Sequence, residues 1–140
     1  QHPFSPISKH VRHPVVQNPV VGTSRLDSEC YIRDCSLDLA LDWIRDTLGA
    51  LRCIESEDIL LFEASHKGSP ISITFTAGIE DGPFCSISCG GNALPWGSDA
   101  EMARAAFAFT RLPVQWGADT IDPYDWWQLD SNGERRVSWD

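Results

Sequence analysis

From Ile71 to Ala77 the chain alternates strictly: Ile71, Ile73, Phe75 and Ala77 are apolar, and Ser72, Thr74 and Thr76 between them carry hydroxyls. Side chains of an extended strand point to opposite faces in turn. This period of two therefore predicts a strand with one face on a core and a hydroxyl face outward. Its neighbours fit the same pattern. Ile59-Leu60-Leu61-Phe62 is a continuous apolar run suited to a central strand, and residues His66–Pro70 read as the turn that follows. Phe84–Cys89 reads as a third strand, reached through Glu80-Asp81-Gly82-Pro83, a hairpin turn. Together they predict an antiparallel meander.

Two helices flank it. Leu37, Leu41, Ile44, Leu48 and Leu51 recur at the spacing of one helical stripe, widened by Ala40 and Trp43. Ser36 suits the N-cap, Asp38 the first turn and Gly49 the stop. Ser98-Asp99-Ala100-Glu101 has the capping-box form, opening a second helix that Pro113 limits beyond Leu112. Its buried face is expected to be Met102, Ala105, Ala106 and Phe109. The chain ends in a predicted hairpin, with Trp126–Asp130 and Glu134–Trp139 around Ser131-Asn132-Gly133. The expected fold is α+β, an antiparallel meander with two helices packed on one face. The 140 residues suffice for one domain, placed at 27–140. Residues 1–26 are expected to be an extended or partly ordered arm, because Pro3, Pro6, Pro14 and Pro19 interrupt any helix.

Charge divides along the same boundary. Residues 1–26 hold Lys9, Arg12 and Arg25 and no acid; residues 27–140 hold all 20 Asp and Glu against eight Lys and Arg. An arm at +3 and a body at −12 make up the net −9. A body this acidic repels phosphate and anionic lipid and attracts cationic partners, so it argues against nucleic acid through the body and against a membrane surface. No apolar run approaches the roughly 20 residues that cross a bilayer, nor does the N-terminus carry a continuous apolar segment of signal-peptide type. Five cysteines, an odd number, exclude complete internal pairing, and a cytoplasmic chain with reduced thiols is the simpler expectation, the alternative being a secreted chain with one or two bridges and a spare thiol.

Residue chemistry gives no catalytic set. Cys85 and Cys89 sit on one face of a predicted strand about 13 Å apart, too far for a disulfide or one zinc. They read as buried structural thiols. Cys30 and Cys35 meet only if the segment between them turns, and Cys53 stands alone. One enzymatic candidate is a thiol hydrolase pairing Cys89 with His66, with amides of Gly90-Gly91-Asn92 as oxyanion donors. The arm's His2, His10 and His13 have no fixed geometry for a metal, and Gly90-Gly91 matches no phosphate-binding fingerprint. No metal or cofactor is expected.

Two acidic groups stand out instead. Asp34, Asp38, Asp42 and Asp46 recur every four residues at and before the first helix, a spacing at which like charges destabilise a helix slightly. They form either a solvated face or a surface kept for a partner. The second group lies in the C-terminal third, where Asp119, Asp122, Asp125 and Asp130 interleave with Trp116, Tyr124, Trp126 and Trp127, and no Lys or Arg occurs from Pro113 to Gly133. Aromatic contact area beside carboxylates is the composition of a hot spot facing a basic protein; the alternative is that the tryptophans fill the core and the aspartates cap turns, as Asp122-Pro123 suggests. Trp126 and Trp127, adjacent in a strand, must point to opposite faces. The candidate partner-binding residues are thus Asp119, Asp122, Tyr124, Asp125, Trp126, Trp127 and Asp130, with Asp38, Asp42 and Asp46.

In size, acidity and α+β layout, with helix Ser36–Leu51, meander Ile59–Cys89, helix Ser98–Leu112 and the acidic-aromatic tail, the chain resembles bacterial immunity proteins of polymorphic and contact-dependent toxin systems. The resemblance implies an inhibitor that binds a cognate basic toxin, often a nuclease, by occluding its active site or an adjacent exosite. It rests on no shared motif, so no residue role is carried over. The second class to weigh is an adaptor or chaperone for a secreted effector.

Overall fold

The computed structural model describes residues 27–54 and 60–138. The arm at 1–26, Ile59 of the first predicted strand and Trp139 of the last lie outside the described residues. Eight strands form one antiparallel sheet: β1 (Asp27–Arg33), β2 (Arg52–Ile54), β3 (Leu60–His66), β4 (Ser69–Thr76), β5 (Phe84–Gly91), β6 (Val114–Gly117), β7 (Asp125–Asp130) and β8 (Gly133–Ser138). Helix α1 (Leu37–Leu48) follows β1, and α2 (Asp99–Thr110) follows β5. The spatial order is β2-β3-β4-β5-β1-β6-β7-β8, so the first strand lies inside the sheet between β5 and β6. This is the α+β architecture expected, a meander with two helices on one face, extended by three strands that the sequence patterns left unassigned.

The caps explain where the helices begin. Ser36 Oγ accepts from Leu39 N at 3.1 Å, and Gly49, with φ 85°, ends α1 three residues before the expected Leu51. In α2, Ser98 Oγ accepts from Glu101 N at 3.1 Å, while the Glu101 carboxylate reaches back to Gly97 N at 3.0 Å. Asp99 then ties α2 to the central strand by accepting from Glu29 N at 3.0 Å and from the buried Ser28 hydroxyl at 3.3 Å.

The core lies between the helices and one face of the sheet. Ile71, Ile73 and Phe75 face it from β4, as their alternation requires, and Cys85, Ile87 and Cys89 face it from β5. Trp43 and Ile44 of α1 and Met102, Ala103 and Ala106 of α2 close it. Each buried Ile or Phe contributes about 1.5–3 kcal/mol. The face of α2 differs from expectation at two places. Ala103 is buried, whereas Phe109 is 38% exposed, because the stripe that meets β1 and β6 runs through Met102, Ala103 and Ala106.

A second cluster forms on the opposite face. Tyr31 and Trp126 meet edge to face at 5.4 Å, with Phe84 beside them and Ile79 and Val137 packed against the group. Trp127 points the other way, stacked on Trp116 at 6.3 Å. The two adjacent tryptophans thus serve opposite faces, as strand geometry demands.

Candidate protein-binding site

The β6–β7 connection, residues 118–124, carries the densest part of the predicted surface. It follows β6 through a chain rich in Asp, Thr and Pro, with no apolar period to hold it in a strand. Its own hydrogen bonds shape it instead. Ala118 N donates to Asp125 O at 3.0 Å, Thr120 N to Ala118 O at 2.9 Å, and Asp125 N to Asp122 O at 3.2 Å. The Asp122 carboxylate accepts from Tyr124 N at 2.9 Å, an Asx turn before Pro123 and Tyr124. Thr120 Oγ1 donates to Asp125 at 2.9 Å. Trp126 Nε1, from inside the second cluster, donates to Pro123 O at 2.9 Å and pins the loop to the core.

At the tip of this braced loop stands Ile121, fully exposed at 100%. Asp119 and Asp122 on either side are exposed, and Tyr124 is partly so at 37%. An aliphatic side chain left in water forgoes about 1.5–3 kcal/mol of burial energy, and here a hydrogen-bonded loop holds it out.

The carboxylates of the candidate site divide into two sets. Asp125 pairs with Arg136, which also lies over the Trp127 ring at 5.2 Å. Asp130 accepts from Arg135 and from Gln128 Nε2 at 2.8 Å, and the Arg135 and Gln128 hydrogen bonds hold its pKa down to about 2. Both acids therefore brace the β7–β8 hairpin. Asp119 and Asp122 have no cation within ion-pair distance among the described residues. Trp126, at 2% exposure, offers no contact area and acts as the loop's anchor. Trp127 is half-buried.

The same division holds across the body. Six of its eight cationic side chains (Arg33, Arg45, Arg52, Arg104, Arg135 and Arg136) each engage a carboxylate, most bridging elements as Arg104–Glu134 joins α2 to β8 and Arg52–Glu63 joins β2 to β3. Pairing uses up most of the positive charge, and the surplus acid stays at the surface. On α1, Asp38, Asp42 and Asp46 are all exposed, and among the described residues Asp42 alone is near a cation, Arg45 at 3.5 Å. Asp34 precedes the helix in a left-handed turn at φ 56°.

The thiol candidate falls differently. Cys89 is buried, and desolvation pushes its pKa up to about 12, so it is protonated at neutral pH. His66 is partly buried at the end of β3, its Nδ1 2.7 Å from Ala93 O rather than on a thiol. Among the described residues no group of three or more His, Cys, Asp and Glu converges as a metal site. No described helix is long and apolar enough to cross a membrane.

Sequence reasoning singled out the acids and aromatics of 119–130 but passed over Ile121. Its signal was faint, a lone aliphatic residue in a non-periodic segment between Thr120 and Asp122-Pro123. Compared with known proteins, the chain matches no family model, no curated protein and no solved structure.

Proposed function

We propose that this protein binds a cationic protein through the 118–124 loop and acts as an immunity-type inhibitor, neutralising a cognate basic toxin by covering its active site or an adjacent exosite. The observation that carries the reading is Ile121, wholly exposed on a loop braced by its own hydrogen bonds and flanked by two carboxylates that have no cation within ion-pair distance among the described residues. A preformed loop spends little ordering entropy on binding. Ile121 supplies an apolar anchor worth about 1.5–3 kcal/mol once buried in a partner pocket, roughly 10- to 100-fold in affinity. Asp119 and Asp122 steer a basic surface toward it, with the α1 acids adding to the same long-range field.

The test is affinity capture from an extract of the source cells with tagged wild type and with Asp119→Lys/Asp122→Lys. Neither residue belongs to an ion pair among the described residues, so the variant is expected to stay folded, which circular dichroism checks; because Asp122→Lys also removes the hydrogen bond from Tyr124 N, Asp119→Lys alone is captured beside it. Support is one basic protein retained by the wild type, lost by the variant and losing its activity when mixed with one equivalent of this chain. Equal capture by both, with loss on Asp38→Lys/Asp42→Lys/Asp46→Lys, moves the site to α1. Capture without inhibition favours an adaptor over an inhibitor.

A further inference from the structure

We infer that Cys35 and Cys85 form a redox-convertible pair, two touching thiols in the reduced chain that a small-molecule disulfide converts into a covalent staple between the β1–α1 turn and β5. The inference stands apart from the binding reading and rests on the sheet register and the turn that follows β1.

The backbone brings the two residues together from fifty positions apart in sequence. β1 and β5 pair with Ile32 opposite Cys85 and Arg33 opposite Phe84. Asp34 then enters the left-handed region at φ 56°, and its N–H donates to Pro83 O at 2.7 Å. The chain is thus folded back against the residues leading into β5, and Cys35 enters the same core cluster as Cys85. Cys35 Sγ donates to Ser36 O at 3.4 Å, and the interaction between the Cys35 and Cys85 thiols is the leading influence on the pKa of each.

The same register argues against pairing Cys30 with Cys85 or Cys89. Cys30 lies opposite Ile87, which makes Cys85 and Cys89 its diagonal neighbours. Diagonal pairs stand about 7–8 Å apart, well beyond the roughly 4 Å between Cβ atoms that a disulfide spans. Cys85 and Cys89 are four residues apart in one strand. Cys53 is exposed on the β2 edge strand, away from the cluster of the other four. Cys35 is the cysteine that the turn after β1 carries back toward Cys85.

The chemistry favours Cys35 as the attacking sulfur. Its hydrogen bond with Cys85 holds the Cys35 pKa below the ordinary thiol value, and that contact together with burial drives Cys85 up. Cys35 is also the more accessible of the two, 8% exposed beside a surface turn. The Cys35 thiolate attacks one sulfur of oxidised glutathione. A Cys35–glutathione bond forms, the glutathione S–S bond breaks, and one glutathione leaves as the thiolate and takes a proton. Cys85, deprotonated as it attacks, then forms the Sγ–Sγ bond and expels the second glutathione. The two cysteines lose two electrons, and one oxidised glutathione becomes two reduced ones.

The experiment uses the wild-type chain, so it does not depend on how a variant folds. Reduced protein is incubated with oxidised glutathione, quenched with an alkylating agent in denaturant and digested with trypsin. Cleavage leaves Cys35 alone in peptide 34–45 and Cys85 with Cys89 in peptide 68–104. The expected product is peptide 34–45 linked to 68–104, with Cys89 alkylated on fragmentation and the link cleaved by dithiothreitol. The oxidised chain is expected to melt about 10 °C higher than the reduced one, because the bond closes a long loop. Recovery of Cys35 only as alkylated or glutathionylated peptide, or a link through Cys30, Cys53 or Cys89, overturns the inference.

Discussion

The sequence pattern makes Trp126 a candidate contact residue, whereas the structure gives it a role within the fold, and Trp126→Phe separates the two. Phenylalanine keeps an aromatic ring against Tyr31 but removes the indole's outer atoms and its donor to Pro123 O. Losing that hydrogen bond costs about 0.5–1.5 kcal/mol, and the space left in the Tyr31–Phe84–Trp126 cluster costs about 1–2 kcal/mol more. The sum is about 2–3 kcal/mol. With a urea m-value of about 1.5 kcal/mol per molar, the midpoint is expected to fall by about 1–2 M with m unchanged. Urea unfolding followed by far-UV circular dichroism measures it. Partner binding weakens as well, through a loop freed at Pro123, but by less than Ile121→Ser produces. A midpoint within about 0.3 M of wild type, with binding abolished, would refute the reasoning and return Trp126 to the interface.

Three further outcomes follow from the same geometry. The folded-state pKa of Asp130 is depressed to about 2, so its stabilisation is complete above about pH 4 and disappears as pH falls toward 2. Arg135 is half exposed, so solvent screens the pair and its contribution is small; urea curves of wild type and Asp130→Asn should differ at pH 7, with the wild type more stable, and converge near pH 2. Ser98→Ala removes the α2 cap and is expected to cost about 1 kcal/mol, read by thermal or urea unfolding. A methyl group on Gly91 would sit 2.6 Å from Pro70 O, a backbone atom of the paired strand, so Gly91→Ala is expected to cost about 2 kcal/mol or more in the same assay.

Periodic signals were legible and aperiodic ones were not. The alternation at 71–77 and the stripe from Leu37 located β4 and α1, and the Ser36 and Ser98 caps fixed the helix starts to the residue. β1 was missed because Asp27, Glu29 and Arg33 make Asp27–Arg33 read as polar, although Ser28, Cys30 and Ile32 line its core face. β2 has three residues and β6 four, too few to show a period. Helical spacing places Phe109 in the core, but α2 packs on β1 and β6 through Met102, Ala103 and Ala106 and leaves Phe109 outward, a tertiary property that no local pattern encodes. The candidate site was half legible. Composition flagged Asp119 through Asp130, but only the fold shows Asp125 and Asp130 held by Arg136 and Arg135, eleven and five residues further along respectively, while Asp119 and Asp122 are left for solvent. Ile121 could not be separated from core aliphatics without its position in space.

The most direct test of the account is the association rate constant between this chain and the basic protein it captures, measured by stopped flow from low to physiological ionic strength. Electrostatic steering by Asp119, Asp122 and the α1 acids predicts a fall of about tenfold or more over that range, a shallower slope for Asp119→Lys/Asp122→Lys, and a faster dissociation with little change in association for Ile121→Ser. A rate that hardly varies with salt and is indifferent to these substitutions would contradict the claim that the 118–124 loop receives a cationic partner.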